Sequence, residues 1–220
     1  MQLVNMDVLD FVKTMPDCSV DLIVTDPPYR TISGGQHGHV SGILVKNDGK
    51  VFDYNTIQPE EWMPELYRVL KADRQCYIMT NLLNLERYLA LARETGFKLH
   101  NLLIWEKNNV TPNGWYMKNC EYVLFLRKGR AVTINHVGSK TVHKFNNILG
   151  KNKRHPTEKP VDLMRFYIEN SSAEGDIVFD PFMGSGTTGV AAKELNRDFI
   201  GCEIDTYYFN IACERIDITV

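Results

Sequence analysis

A run of about eighteen consecutive apolar residues, the length that crosses a bilayer as a helix, occurs nowhere in this chain. The first residues, Met1-Gln2-Leu3-Val4-Asn5-Met6-Asp7, hold neither a basic segment nor an apolar one behind it, so no secretory signal is expected. Cysteine is sparse: Cys18, Cys76, Cys120, Cys202 and Cys213 are odd in number and scattered, with no C-x-x-C pair. That argues against a disulfide framework or a zinc site and fits a reducing cytoplasm. His37, His39 and His155 lack a partner cluster, so no metal is expected. Internal repeats and low-complexity tracts are absent. So is a strong excess of positive charge: 25 Lys and Arg face 27 Asp and Glu, a net −2. Taken alone, that figure speaks against a nucleic-acid partner.

What is present suits a folded domain. Hydrophobic residues are 44% and charged residues 24% of 220, enough for a real core and about one domain. The charge is segregated. Between Arg127 and Lys159 stand Arg127, Lys128, Arg130, Lys140, Lys144, Lys151, Lys153, Arg154 and Lys159, against the single acid Glu158. That local +8 leaves −10 on the rest of the chain. A cationic stretch on an anionic body is either a polyanion contact or a solvated loop.

Short apolar runs alternate with helical patterns, which implies βα units and a largely parallel sheet. Strands are expected at Val20–Thr25, Cys76–Thr80, Asn101–Trp105, Tyr122–Leu126, Ile177–Asp180 and Phe199–Ile204. Helices are expected at Val8–Met15, Pro59–Leu70, Leu85–Thr95, Val161–Ser171, Thr187–Leu195 and Tyr207–Ile216. Pro59-Glu60-Glu61 makes a good first turn, because proline fixes φ and the acids face the positive end of the helix dipole. Two segments break the pattern. Arg30–Lys50 holds five glycines and reads as a mobile functional loop. Arg127–Arg154 is loop-rich, with little core-forming sequence.

Ile177-Val178-Phe179-Asp180-Pro181-Phe182 reads as a strand entering a turn. Gly184-Ser185-Gly186-Thr187-Thr188-Gly189 follows and opens a helix, and Glu203 closes the next strand 17 residues after Gly186. Glycines there allow close backbone approach to a ligand, and a carboxylate in that place suits a hydroxyl. Only 31 residues follow Gly189, so the remaining strands of the sheet must come from earlier in the chain.

The strongest local signal is Asp21-Leu22-Ile23-Val24-Thr25-Asp26-Pro27-Pro28-Tyr29, a buried strand ending in an acid, two prolines and an aromatic. Two prolines end the ladder and stiffen the backbone, while their carbonyls still accept hydrogen bonds. An aspartate beside a fixed carbonyl suits an exocyclic –NH2, and a tyrosine ring can stack on the heterocycle that carries it.

Asp26-Pro27-Pro28-Tyr29 with Phe182-Met183-Gly184-Ser185-Gly186 resembles the amino DNA methyltransferases, and the order, catalytic motif first, is similar to their permuted β class. His155-Pro156-Thr157-Glu158-Lys159-Pro160 and Ile200-Gly201-Cys202-Glu203 also match that pattern, over nearly the whole chain. The resemblance implies an α/β, Rossmann-like methyltransferase fold with a mixed, mostly parallel sheet and helices on both faces, residues 1–220 forming one domain. It implies S-adenosyl-L-methionine (AdoMet) as cofactor, double-stranded DNA as substrate, a cytoplasmic enzyme of bacterial or phage origin, and room for a homodimer. Catalysis falls to Asp26, Pro27, Pro28 and Tyr29. AdoMet falls to Asp7, Asp26, Thr157, Lys159, Asp180, Phe182, Gly184, Ser185, Gly186, Thr187 and Glu203. Met6 departs from the glycine that the family places before the acid at position 7. DNA contacts fall to Arg30, Arg127, Lys128, Arg130, Lys140, Lys144, Lys151, Lys153 and Arg154. Arg30–Lys50 and Arg127–Arg154 are expected to be poorly ordered without DNA.

An aspartate at position 26 favours adenine N6 in that family, where serine accompanies cytosine N4. Other readings are an RNA or protein amine or amide methyltransferase, which the motif order disfavours, and a non-catalytic DNA-binding module, which the intact motifs disfavour.

Overall fold

The computed structural model describes residues 1–28, 57–111, 116–150 and 153–217. Among these, eight strands form one sheet: β1 (Gln2–Asn5), β2 (Val20–Thr25), β3 (Leu70–Thr80), β4 (Lys98–Thr111), β5 (Lys118–Arg127), β6 (Val142–Lys144), β7 (Ile177–Asp180) and β8 (Asp198–Glu203). Six helices connect them: α1 (Val8–Thr14), α2 (Pro59–Val69), α3 (Leu82–Thr95), α4 (Val161–Ser171), α5 (Thr187–Glu194) and α6 (Thr206–Ile216).

The sheet order is β1-β8-β7-β2-β3-β5-β4-β6. From β1 to β3 every pair is parallel; β5 then runs antiparallel to both β3 and β4, and β6 parallel to β4. Helices cover both faces. Ile23, Cys76 and Ile78 point to one layer with Phe11, Trp62, Leu66 and Tyr88 of α1–α3. Leu22, Val24 and Tyr77 point to the other with Leu163, Tyr167, Ala191 and Phe209 of α4–α6. This is the period-two alternation of a strand buried on both faces.

Each helix after a parallel strand starts at the same end of the sheet, often on a capping side chain. Asp7 accepts from the Leu9 N–H, Asn81 from Asn84, and Asp205 from Tyr207 and Tyr208. These side chains satisfy amides that a helix start leaves unpaired. The consequence for function is that helix N-termini and strand C-termini crowd one edge.

Two strands escape the sequence reading. β1 has only Leu3 and Val4 as apolar members and pairs β8 at the sheet edge. β6 has three residues and exists through its pairing with Ile104–Glu106 of β4. β6 lies within the loop-rich stretch Arg127–Arg154 and ties it to the sheet through Val142–Lys144. Ile134 and Phe145 pack against the core, Trp105 Nε1 donates to the Phe145 carbonyl at 2.9 Å, and the Asn135 amide donates to the carbonyls of Glu169 and Ser172 at the end of α4. The other segment expected to be disordered, Arg30–Lys50, lies outside the described residues.

Candidate active site

The parallel half of the sheet brings β2 beside β7, joining stretches about 150 residues apart in sequence. Ligands of open α/β sheets bind beyond such carboxyl ends. Here a cleft opens, lined by Asp26 after β2, Asp180 at the end of β7, Phe182–Ser185, Thr187 and Thr188 of the glycine turn, and His155, Thr157, Glu158 and Lys159 before α4. The two motifs read from sequence thus meet in one cavity. Pro27 is buried and Pro28 half-buried. Tyr29, Arg30 and Lys151 lie outside the described residues.

Asp180 is buried. Thr25 Oγ1 donates to it at 2.8 Å, Thr188 Oγ1 at 2.6 Å and the Phe182 N–H at 3.1 Å. Burial pushes its carboxyl up to about 6, against the pull of these three donors. Glu203 accepts the Gly184 N–H on one oxygen and the Asp205 N–H on the other, both at 2.9 Å. Burial raises its carboxyl while those backbone bonds lower it. Each oxygen retains a lone pair for a hydroxyl.

The glycines of the turn divide by what they face. A Cβ on Gly184 would meet the His155 ring at 3.5 Å, within the cleft wall. A Cβ on Gly186 would meet Ala212 and Ile216 of α6, and one on Gly189 would meet Ile216 and Phe199. Close approach is therefore needed here between helices as well as toward a ligand. Arg215 holds the turn from α6, donating to the Ser185 carbonyl at 2.7 Å and hydroxyl at 3.0 Å, and to Thr187 Oγ1 at 3.3 Å. Arg215 in turn pairs with the fully buried Glu158 side chain, which also faces Arg154. Neither Arg215 nor Glu158 was distinguishable in the sequence as part of the site.

Lys159 sits where its sequence motif placed it, but its ammonium is engaged by protein carboxylates. It lies 2.5 Å from Asp26 Oδ2 and 3.4 Å from Glu121 Oε2. Burial opposes its charge, yet Asp26 and Glu121 outweigh burial and hold it above the ordinary lysine range. Thr157 Oγ1 lies 3.1 Å from His155 Nδ1, and Tyr208 meets the His155 ring edge-on at 4.3 Å. Burial first, then Lys159, pushes His155 down to about 4, so it is neutral near pH 7. Asp7 serves as the cap of α1. Among the described residues no cluster of three His, Cys, Asp or Glu could hold a metal.

The basic residues scatter. Arg127 pairs in register with Gln75 and Lys98, at the end of the sheet away from the cleft. Lys128 Nζ donates there to the carbonyls of Tyr67 and Leu70 at 2.7 Å, and Arg130 binds Asp73. Lys144 pairs with Glu106 at 3.2 Å. Lys140 is exposed. Lys153 donates to the Pro156 carbonyl, and Arg154 is exposed beside Glu158, at the cleft.

Residues 20–214 match the model of a family described as DNA methylase. The chain is 30% identical to the type II methyltransferase M2.DpnII of Streptococcus pneumoniae, over 99% of this chain and 90% of that protein. It is 31% identical to the type II methyltransferase M.HpaI of Haemophilus parainfluenzae, over 98% of this chain and 74% of that one. Among solved structures, the M1.HpyAVI–SAM complex superposes with a TM-score of 0.73 at 27% identity, covering 97% of this chain and 98% of its own.

Proposed function

This chain belongs to the DNA methylase family, as an AdoMet-dependent DNA methyltransferase, and from that premise we propose that it methylates the exocyclic N6 of adenine in a flipped-out base. The observation that carries the reading is the convergence of Asp26 with Asp180 and the glycine turn at one cleft, where Glu203 holds the Gly184 N–H.

The residues present fit AdoMet. Asp180 and Glu203 offer carboxylates to hydroxyls and to a cation, Gly184 leaves the cleft wall open, and Phe182 and Met183 supply apolar surface. Ser185, Thr187 and Thr157 line that wall, and Asp7 lies at the start of α1. When bound, AdoMet supplies the sulfonium-activated methyl group.

The protein's part is positioning and electrostatics. A base inside a duplex is out of reach, so it must swing out at a cost of about a few kcal/mol. Asp26 and the Pro27 carbonyl accept hydrogen bonds from its amino group, hold the nitrogen lone pair toward the cleft, and stabilise positive charge developing on nitrogen. Tyr29 stacks on the ring. No side chain is required as a covalent nucleophile.

The Asp26→Ala variant should lose methyl transfer to DNA while still binding AdoMet in calorimetry. Full activity would sink the reading. Mass analysis of nucleosides from the methylated DNA should give N6-methyladenine, and N4-methylcytosine alone would replace adenine by cytosine.

A further inference from the structure

Behind the cleft, four charged side chains from separate parts of the fold alternate in sign. Lys107 of β4 lies 3.0 Å from Glu121 of β5, Glu121 lies 3.4 Å from Lys159, and Lys159 lies 2.5 Å from Asp26. None of the four side chains is more than 20% exposed. Asp26 and Lys159 line the cleft, whereas Glu121 and Lys107 lie behind them.

The geometry raises a chemical question about Asp26. An ammonium paired with one carboxylate fixes it but also draws on its charge, and a carboxylate so neutralised is a weaker acceptor for a substrate N–H. An ammonium shared between two carboxylates fixes the first while drawing on it less. A second buried acid also needs its own counter-charge, because an unpaired buried charge is costly. Lys107 supplies it.

We propose, resting on the reading of Asp26 as the acceptor of the amino group, that Glu121 with Lys107 behind it is a positioning pair: it divides the Lys159 ammonium so that Asp26 is held in place yet remains a strong acceptor. Burial pushes the Glu121 carboxyl up, but Lys159 and Lys107 overcome this and hold it below the ordinary range. Among the described residues, Lys153, His155 and Glu158 face the array from the stretch before α4, Tyr167 of α4 faces Glu121, and Tyr88 of α3 and Asp180 of β7 face Asp26.

The test is steady-state methylation of DNA across pH by the full chain carrying Glu121→Gln. The array then loses one negative charge, and Lys159 closes on Asp26 alone. Turnover should fall about tenfold or more, with AdoMet affinity and the KM for DNA changed less than about threefold, an effect on the chemical step alone. The acid limb of kcat should move to lower pH by about half a unit, because an excess of positive charge makes Asp26 harder to protonate. Glu121→Asp should recover part of the turnover. Lys107→Met removes a positive charge from outside the cleft and should move the same limb to higher pH, which also serves if Glu121→Gln does not fold. A merely structural role would lower the folded fraction and leave both limbs in place. If Asp26→Ala is inactive while both variants keep wild-type kcat and unmoved limbs, the inference is overturned and the functional reading stands. If Asp26→Ala is fully active, both fall.

Discussion

Gly186 opens α5 with φ +79° and ψ 23°, left-handed values that cost an alanine about 1–2 kcal/mol. A Cβ at that position would lie 2.9 Å from Ala212 Cβ, 3.0 Å from Ala212 Cα and 3.1 Å from Ile216 Cδ1. Ile216 can turn its terminal methyl aside, but Ala212 Cα is the backbone of α6 and both residues are fully buried. Overpacking of that kind costs about 1–3 kcal/mol. Alanine recovers about 0.4–1 kcal/mol by restricting the unfolded chain. Gly186→Ala should therefore destabilise the protein by about 3 kcal/mol, and lower Tm by about 6–12 °C at this chain length. Gly138→Ala is the control. Its φ is also positive, +96°, but no atom of the described residues lies within 4 Å of the added carbon, so only the backbone cost remains, about 1 kcal/mol net of the restricted unfolded chain. Urea and thermal unfolding of both variants isolate the packing part. If Gly186→Ala proved no less stable than Gly138→Ala while AdoMet affinity collapsed, the glycine would be reserved for the ligand, and the helix-packing argument would be wrong.

Two titrations of opposite sign should be separable by substitution. Asp180, raised by burial to about 6, favours the folded state when protonated; that stability is complete below its ordinary value of 3.8 and is lost as pH rises through about 6. His155, lowered to about 4, does the reverse: its contribution is complete above 6.5 and is lost as pH falls through about 4. These two contributions should thus offset each other between about pH 4 and 6. In Asp180→Asn the first slope is gone, so the stability difference between wild type and variant should shrink from pH 4 to 7.5 by about 3 kcal/mol, two units at about 1.4 each. A difference constant with pH in urea titrations would contradict the burial argument. A further pair of variants sorts the basic residues. Lys128→Met should lower stability by about 1–2 kcal/mol, since it removes charged hydrogen bonds to the end of α2, and should leave the salt dependence of DNA binding unchanged. Arg154→Ala should reduce the slope of log K against log[salt] by about one. Anisotropy titrations across salt would refute this sorting if the two variants behaved the other way round.

The sequence carried most of this site, because its chemistry lies in contiguous turns. Asp26-Pro27-Pro28 and the glycine turn are local signals, each fixed by backbone rules that hold in any context. The strands β2 and β7 could be bounded to the residue, since runs buried on both faces end abruptly at Thr25 and Asp180. What escaped was whatever exists only through long-range pairing. The three residues of β6 have no pattern of their own. Glu121 and Lys107 look like ordinary polar positions on half-exposed strands. The one hint was an acid beside the buried run Val123–Leu126, within the apolar stretch Cys120–Leu126. Arg215 was hidden for a different reason: a basic residue in the last turn of a helix already has a dipole to serve.

The net charge of −2 acquires a physical meaning once position is assigned. Asp26, Asp180, Glu203 and Asp205 crowd the strand ends, and Lys159, shared with Glu121, faces Asp26 from behind. An anionic cleft attracts a sulfonium cation and tolerates an uncharged base, but it repels phosphodiester. Under the proposed function these preferences are all wanted at one place, because the base must enter while its backbone stays out. Positive charge is then needed outside the cleft. The structure leaves fewer cations for that than the +8 stretch suggests. Lys128 and Arg130 are held at the far end of the sheet, and Lys159 belongs to the cleft itself. Among the described residues of the stretch, Arg154 is exposed at the cleft, with Lys153 beside it. Arg154 is also joined to Glu158 and through it to Arg215 and the glycine turn.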